Sequence, residues 1–387
     1  AYRNSSDDPT AGPRTVTLAS VTDSGGTAGG GVDTASLSIG ATVTVAGVND
    51  APTLTATGAT ATFTEGAASA GLFSNVSAST VESGQSFTGL TLTVSNVTDG
   101  AAEILTVDGM SIELTNGNSG TTLLSGLTFS VSVVGGTATL TLSGGAFTAG
   151  GLEDLVDTLA YRNTSENPTA GARTVTLTSL TDNGGTASGG VDTASLSIGA
   201  TVTVAAVNDA PTLTATGATA SFTEGGSAAD LFSGVSASTV ETGQTFSALT
   251  LTVSNVTDGA AELLTVDGLS IALTNANTGT TVTNGLTFAV SVVAGTATVT
   301  LSGGTLSAAQ LQTLVDALAY RNSSDNPTAG ARTVTLASVT DSGGTASGGT
   351  DTTSLAIGAT VTVAGVNDDP TARDDALGTL ENAVVTG

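Results

Sequence analysis

Apolar residues fall on alternate positions through most of this chain. In "LTLTVSNV" (Leu90–Val97), "LTFSVSVV" (Leu127–Val134), "TATLTL" (Thr137–Leu142), "RTVTLTSL" (Arg173–Leu180) and "ASLSIGATVTVAAV" (Ala194–Val207), Leu, Val, Ile or Phe take one face and Thr or Ser the other. A period of two marks strands buried on one side only. Gly-rich breaks such as "VGG" (Val134–Gly136) and "DNGG" (Asp182–Gly185) read as turns. Short strands separated by such turns predict an antiparallel β-sandwich. One segment breaks the alternation. In "TAGGLEDLVDTLAYRN", Leu152, Leu155, Val156 and Leu159 recur at helical spacing, and Leu311, Leu314, Val315 and Leu318 repeat the pattern further on. Ser307 followed by Gln310 is a candidate capping box. The spacing predicts one short helix at a sandwich edge or end, after which Tyr161 and Tyr320 turn back into the sheet.

The pattern itself repeats. "AYRNSSDDPTAGPRTVTL" starts at Ala1, "AYRNTSENPTAGARTVTL" at Ala160 and "AYRNSSDNPTAGARTVTL" at Ala319, a step of 159 residues. Asn49/Asp50, Asn208/Asp209 and Asn367/Asp368 keep the same step, each pair just ahead of a Pro. The division expected is therefore 1–50, the C-terminal part of a preceding repeat; 51–209 and 210–368, two complete repeats; and 369–387, the start of a following, divergent domain. A solenoid coil has a period of ~20–50 residues. This longer period suits a domain with its own core. The chain reads as a segment of a longer polypeptide, with seams at the Asn-Asp-Ala-Pro stretches.

Composition narrows the chemistry. Of 387 residues 33 are acidic and 7 basic, all Arg, for a formal net charge of −26; His, Lys, Cys and Trp are absent. Without His, Lys or Cys there is no usual general base, Schiff-base amine or thiolate. A basic face for nucleic acid is lacking too. No apolar run reaches the ~20 residues of a membrane span. What remains is carboxylates, amides and backbone carbonyls, hard oxygen donors suited to Ca²⁺. The acids gather at turns, as Asp99 and Glu103 do in "VTDGAAEIL" and Asp108 in "VDGM". Pro suits the start of an edge strand, and Asn and Asp tolerate turn geometry, so "NDAP" can serve as a stiff turn. Stiffness alone does not call for Asp.

"VNDAPTL" followed about a dozen residues on by "FTEG" resembles the cadherin-like repeats of very large bacterial surface adhesins of the RTX, type I-secreted kind. The resemblance implies tandem cadherin/Ig-like antiparallel β-sandwich domains, all-β, each with one short helix, and Ca²⁺ at the linkers. On that resemblance Asn49, Asp50, Asn208, Asp209, Asn367 and Asp368 match the linker ligands. Glu65, Glu224 and Glu381 match an early Glu of the domain. Asp99 with Glu103 and Asp258 with Glu262 match a later acidic pair, and Glu241, with Glu82 its counterpart, stands where the family has Asp-x-Asp. The sequence departs from the family at the first linker position, which holds Gly47, Ala206 or Gly365, and in the four-residue spacing of the acidic pair. With the first linker Asp missing and a lone Glu82 or Glu241 in place of Asp-x-Asp, fewer anionic ligands imply fewer or weaker ions.

The function expected is a non-enzymatic extender of an extracellular, cell-surface chain, with Ca²⁺ at the linkers stiffening the rod. Its partners would be neighbouring repeats of the same chain, with no nucleic acid and no membrane insertion. The alternative is a subunit that assembles with other copies into a filament or surface layer through uncovered strand edges.

Overall fold

A computed structural model describes residues 1–369 of the chain. Contacts within it divide the chain into two units, Ala1–Ala206 and Val207–Gly387. Each is described by itself.

The first unit opens with a lone antiparallel hairpin, β1 (Gly12–Thr22) and β2 (Thr34–Val45). The complete repeat follows as β3 (Thr53–Gly58), β4 (Thr60–Thr64), β5 (Ala70–Gly71), β6 (Phe73–Ser79), β7 (Phe87–Val94), β8 (Glu103–Val107), β9 (Met110–Glu113), β10 (Ser119–Thr121), β11 (Thr128–Val134) and β12 (Thr137–Phe147). Helix α1 (Ala149–Asp157) comes next, then β13 (Ala160–Asn163), β14 (Gly171–Asp182) and β15 (Thr193–Ala205). A seven-stranded sheet runs β10-β11-β12-β7-β14-β15-β4, with β4 parallel to β15 and the other pairs antiparallel. A four-stranded sheet runs β5-β13-β8-β9, and β3 pairs with β6. The fold is all-β apart from the short helices, as the alternation predicts.

Register fixes which face is buried. Leu140, Leu92 and Leu177 lie opposite one another across β12, β7 and β14, and all are buried. One residue on, Thr139, Thr93 and Thr176 line up on the other face. Leu105, Val107, Ile112 and Tyr161 of the smaller sheet join the same core. Phe63 of β4 meets Tyr161 of β13 edge-on, ring centroids 6.1 Å apart, tying the two sheets together. The helix buries Leu152, Leu155 and Val156 and packs beside β6 and β12. Thr148 caps it through Gly151 N–H. In the second unit Ser307 and Gln310 form the full capping box on Ala308–Asp316. The short strands β4, β5 and β8 to β10 carry too few residues for their alternation to stand out.

The second unit repeats these elements with the same order and register. In the lone hairpin the corresponding apolar face is uncovered: Leu18, Val21 and Ile39 are 58%, 57% and 59% exposed, whereas Leu177 and Leu180 are fully buried. Two chain crossings require Gly. A Cβ on Gly58 would fall on the carbonyl oxygen of Gly199, and one on Gly217 on that of Gly358. Gly217→Ala is expected to lower the stability of the second unit by about 1–3 kcal/mol, the cost of forcing two backbones apart, measured by urea unfolding.

Candidate functional site

The two ends of each unit handle their acidic side chains in opposite ways. At the end where β15 finishes, here called the foot, Asp99 and Glu103 come together, but around an arginine. Arg173 projects inward from β14, on the same face as Val175 and Leu177, and is 2% exposed. Its Nη2 lies 3.0 Å from Glu103 Oε1 and 3.3 Å from Asp99 Oδ2. Glu103, fully buried, also accepts from Thr98 N–H (2.8 Å), Asp99 N–H (3.1 Å), Arg173 Nε (3.2 Å) and the Tyr161 hydroxyl (2.9 Å). Asp99 Oδ2 accepts from Asn163 (2.6 Å) and Thr169 N–H (2.9 Å), and Oδ1 from the Thr169 hydroxyl (2.5 Å).

The second unit has the same set. Arg332 is 3.1 Å from Glu262 and 3.7 Å from Asp258, and Tyr320 OH is 2.9 Å from Glu262. Burial alone would push Asp99 and Asp258 up. The bonds from Thr169 and Asn163, or Thr328 and Asn322, together with the Arg charge, outweigh it and hold both carboxyls below their ordinary range. Burial beside a carboxylate raises the Tyr161 and Tyr320 hydroxyls. The oxygens of this acidic pair, expected as metal ligands, are already spent on an internal cation.

The other foot residues are more open. Glu65 N–H donates to Ala205 carbonyl at 3.0 Å and Glu224 N–H to Ala364 at 2.9 Å. Glu224 Oε2 also accepts from Val366 N–H at 2.8 Å. Beside it is an open cavity of about 390 Å³ lined by Glu224, Arg321, Asn322, Asp325 and Asp368. Asn367 is exposed, and its amide donates to the Asp368 carbonyl at 3.4 Å. Glu381 lies outside the described residues.

At the opposite end, the head, Asn49/Asp50 and Asn208/Asp209 each dock onto the strands and turns that follow them within the same unit. Asn208 Nδ2 donates to Asp341 Oδ1 at 3.2 Å and to Thr350 carbonyl at 2.8 Å, and its Oδ1 accepts from Gln244 Nε2 at 2.6 Å. Asn49 makes the matching bonds to Asp182 (3.1 Å), Val191 (2.7 Å) and Gln85 (2.7 Å). Gly184 and Gly343 leave room for it: a Cβ on either would fall on the Asn amide oxygen. The next N–H is held as well. Asp50 N–H donates to Glu82 Oε1 at 2.8 Å, and Asp209 N–H to Glu241 Oε1 at 2.6 Å. These contacts answer why Asn precedes Asp: its amide supplies two donors and an acceptor at one point.

The head leaves oxygens unspent. Glu82 Oε2, Gln85 Oε1 and Asp182 Oδ2 in the first unit are buried without a hydrogen-bond partner. So are Asp209 Oδ2, Glu241 Oε2, Gln244 Oε1 and Asp341 Oδ2 in the second. Asp182 and Asp341 are each 3% exposed. Burial raises Asp341, and the charge of Asp351 adds to it, against the opposing bonds from Gly343 N–H and Asn208. Among the described residues no three acidic side chains converge into a carboxylate cage, so any cation here would need amide oxygens too. The positions not anticipated from sequence are Gln85, Gln244, Asp182 and Asp341. For the two Asp the signal was present: "DNGG" and "DSGG" put an acid two residues before the glycine that Asn needs.

No family model and no curated protein matches the chain. Among solved structures it is similar to protocadherin gamma B2 extracellular cadherin domains 3–6, at 13% identity and a TM-score of 0.26 over 85% of this chain and 54% of that one. Drosophila N-cadherin EC1-4 gives 13% and 0.17 over 84% and 53%. Domains 4–9 of the surface layer protein SbsC give 13% and 0.13 over 86% and 34%. The chain spans about half the length of the two cadherin structures.

Glu262→Gln is expected to cost the second unit about 3–5 kcal/mol, because it leaves Arg332 buried with its main counter-charge removed; calorimetric unfolding measures it. Asp258, held low when folded, contributes stability that is complete above the unfolded carboxyl pKa of ~3.9 and lost as pH falls through the lower folded value. An Asp258→Asn variant should therefore be less stable than wild type at pH 7, with the gap closing as pH drops below about 4.

Proposed function

We propose that these units are non-catalytic spacers of an extracellular chain, and that Ca²⁺ bound at the head of each fixes the incoming linker. The observation that carries the reading is the set of buried, unpartnered oxygens around Asn208. In the second unit Glu241, Gln244 and Asp341 would hold the ion beside Asn208. In the first unit the set is Glu82, Gln85 and Asp182 beside Asn49. These are oxygen donors only, two of the three in each unit anionic, a hard-cation set of modest charge. Asp50 and Asp209 stay candidate linker ligands. When bound, the ion supplies the positive charge that no Lys or Arg of the head provides. The protein groups do the rest: Asn208 pins the linker to the turn after Asp341, and Glu241 pins the following N–H. Glu65, Glu224, Asn367 and Asp368 remain candidate ligands for further ions along the linkers. A linker held in this way loses bending freedom, which suits a spacer.

A second reading keeps one observation of its own. The outer face of the seven-stranded sheet, with Thr91, Thr93, Thr139, Thr141 and Thr176, carries no charge on a chain of −26. Copies that repel one another elsewhere could approach there, which favours lateral assembly.

Two measurements test the first reading. Calorimetric titration should show Ca²⁺ binding to the wild-type chain, and small-angle scattering should show a longer, stiffer particle with Ca²⁺ than with chelator. Equal dimensions in both would remove the linker role. Asp341→Asn should abolish the Ca²⁺ response of the second unit. In chelator the same change should stabilise at pH 7. A raised folded pKa means the folded state holds the proton more tightly, so the stability it brings is complete below the unfolded pKa and is lost as pH rises through the folded value. The advantage of Asn over Asp in chelator should accordingly shrink as pH is lowered toward 4.

A further inference from the structure

One strained turn recurs at the head of both units. Val240 has φ +70°, and so does Val81. A β-branched residue in that region is a steric outlier. In the second unit Glu241 N–H donates to the Thr239 carbonyl at 2.9 Å, two residues back. The chain thus makes a γ-turn centred on Val240 in its positive-φ form, the rare and strained one.

Side chains brace the turn from both sides. Ser238 Oγ accepts from Val240 N–H at 3.1 Å, and the Thr239 hydroxyl donates to the Glu241 carbonyl at 3.0 Å. Ser79 and Thr80 repeat both bonds on Val81 N–H and the Glu82 carbonyl, at 3.0 Å each. A loop that merely reversed direction would take Gly at the centre without steric cost. Strain that persists in two copies is over-determined by its surroundings, and such strain collects at ligand clamps. The residue the turn delivers is Glu241, or Glu82, with one oxygen on the linker N–H and the other unpartnered.

We propose that Val240 and Val81 are positioning residues: the braced positive-φ turn aims the free carboxylate oxygen of Glu241 and Glu82 at the cation. This rests on the Ca²⁺ reading above. The backbone angle matters, not the apolar side chain, so substitutions that permit or forbid positive φ should act oppositely.

The test uses the full chain with both turns changed together. Val81→Gly with Val240→Gly keeps the angle accessible. Protection of the Asp50 and Asp209 amides from hydrogen exchange, measured in chelator, should be retained. The Ca²⁺ midpoint should stay within about threefold, and the unfolding temperature in chelator should rise by roughly 2–4 °C. Val81→Pro with Val240→Pro forbids the angle. Both amides should then lose protection, and Ca²⁺ affinity should fall about 10–100-fold, the range for losing a group that orients a metal ligand. Wild-type protection and midpoint in the Pro variant would overturn the proposal, as would a Gly variant that unfolds at lower temperature or exchanges like the Pro one. If the wild-type chain takes up no Ca²⁺ while the Pro variant still loses amide protection, the positioning of Glu241 stands and the Ca²⁺ reading falls.

Discussion

A single amide decides how each unit begins. Asn208 reaches Asp341, Thr350 and Gln244 at once, so the linker, the turn after Asp341 and the strained loop before Phe246 are positioned by one side chain. Neighbouring choices follow from it. Gly343 is Gly because a Cβ would occupy the amide. Asp341 is buried because it must accept that amide. Glu241 is drawn in because, once Asn208 is seated, Asp209 N–H needs an acceptor away from water. A Ser in place of Asn would offer one donor where the site uses two.

The foot meets the same problem, buried carboxylates, with a protein cation. Arg173 between Glu103 and Asp99 is a buried pair whose desolvation cost is high. It is tolerated because every oxygen of Glu103 also receives a neutral donor, from two backbone N–H groups and the Tyr161 hydroxyl. The network binds β8, β13 and β14, strands of both sheets, and so specifies how they stack as much as it stabilises them.

The sandwich was legible where strands were long. Seven- to thirteen-residue runs such as Thr128–Val134 and Thr193–Ala205 show their period plainly, and the helix could be read from Leu152, Leu155 and Val156 because three apolar residues at that spacing fit no strand. Two- to five-residue strands such as Ala70–Gly71 exist only through their partners, and no local pattern announces them. The acidic pair Asp99/Glu103 was found, but its partner was not, although Arg173 sits at an inward register among Val175 and Leu177, where an unpaired charge would be untenable. At the head, Asn and Asp drew attention through repetition. Gln244 and Asp341 stand 36 and 133 residues from Asn208, and only the folded sheet brings them together.

The contrast between the ends bears on what the head is for. Each complete repeat carries two arginines. One, Arg173 or Arg332, is consumed at the foot. The other, Arg162 or Arg321, lies on β13 or its counterpart, at the foot end. None is left for Glu241, Asp341 and Asp209. Carboxylates shut away from water without a counter-charge have two routes to lower free energy: take up a proton or take up a cation. Burial raises the pKa of Asp341, which makes the first route easier there. Its cost grows as pH rises above the folded pKa, since each further unit makes protonation harder. A divalent ion at neutral pH has no such penalty, neutralises more than one carboxylate at a time, and uses the amide oxygens that a proton would leave idle. In the proposed reading, an end built from Asn, Asp, Glu and Gln, with the two arginines of each complete repeat kept at the foot, takes the second route.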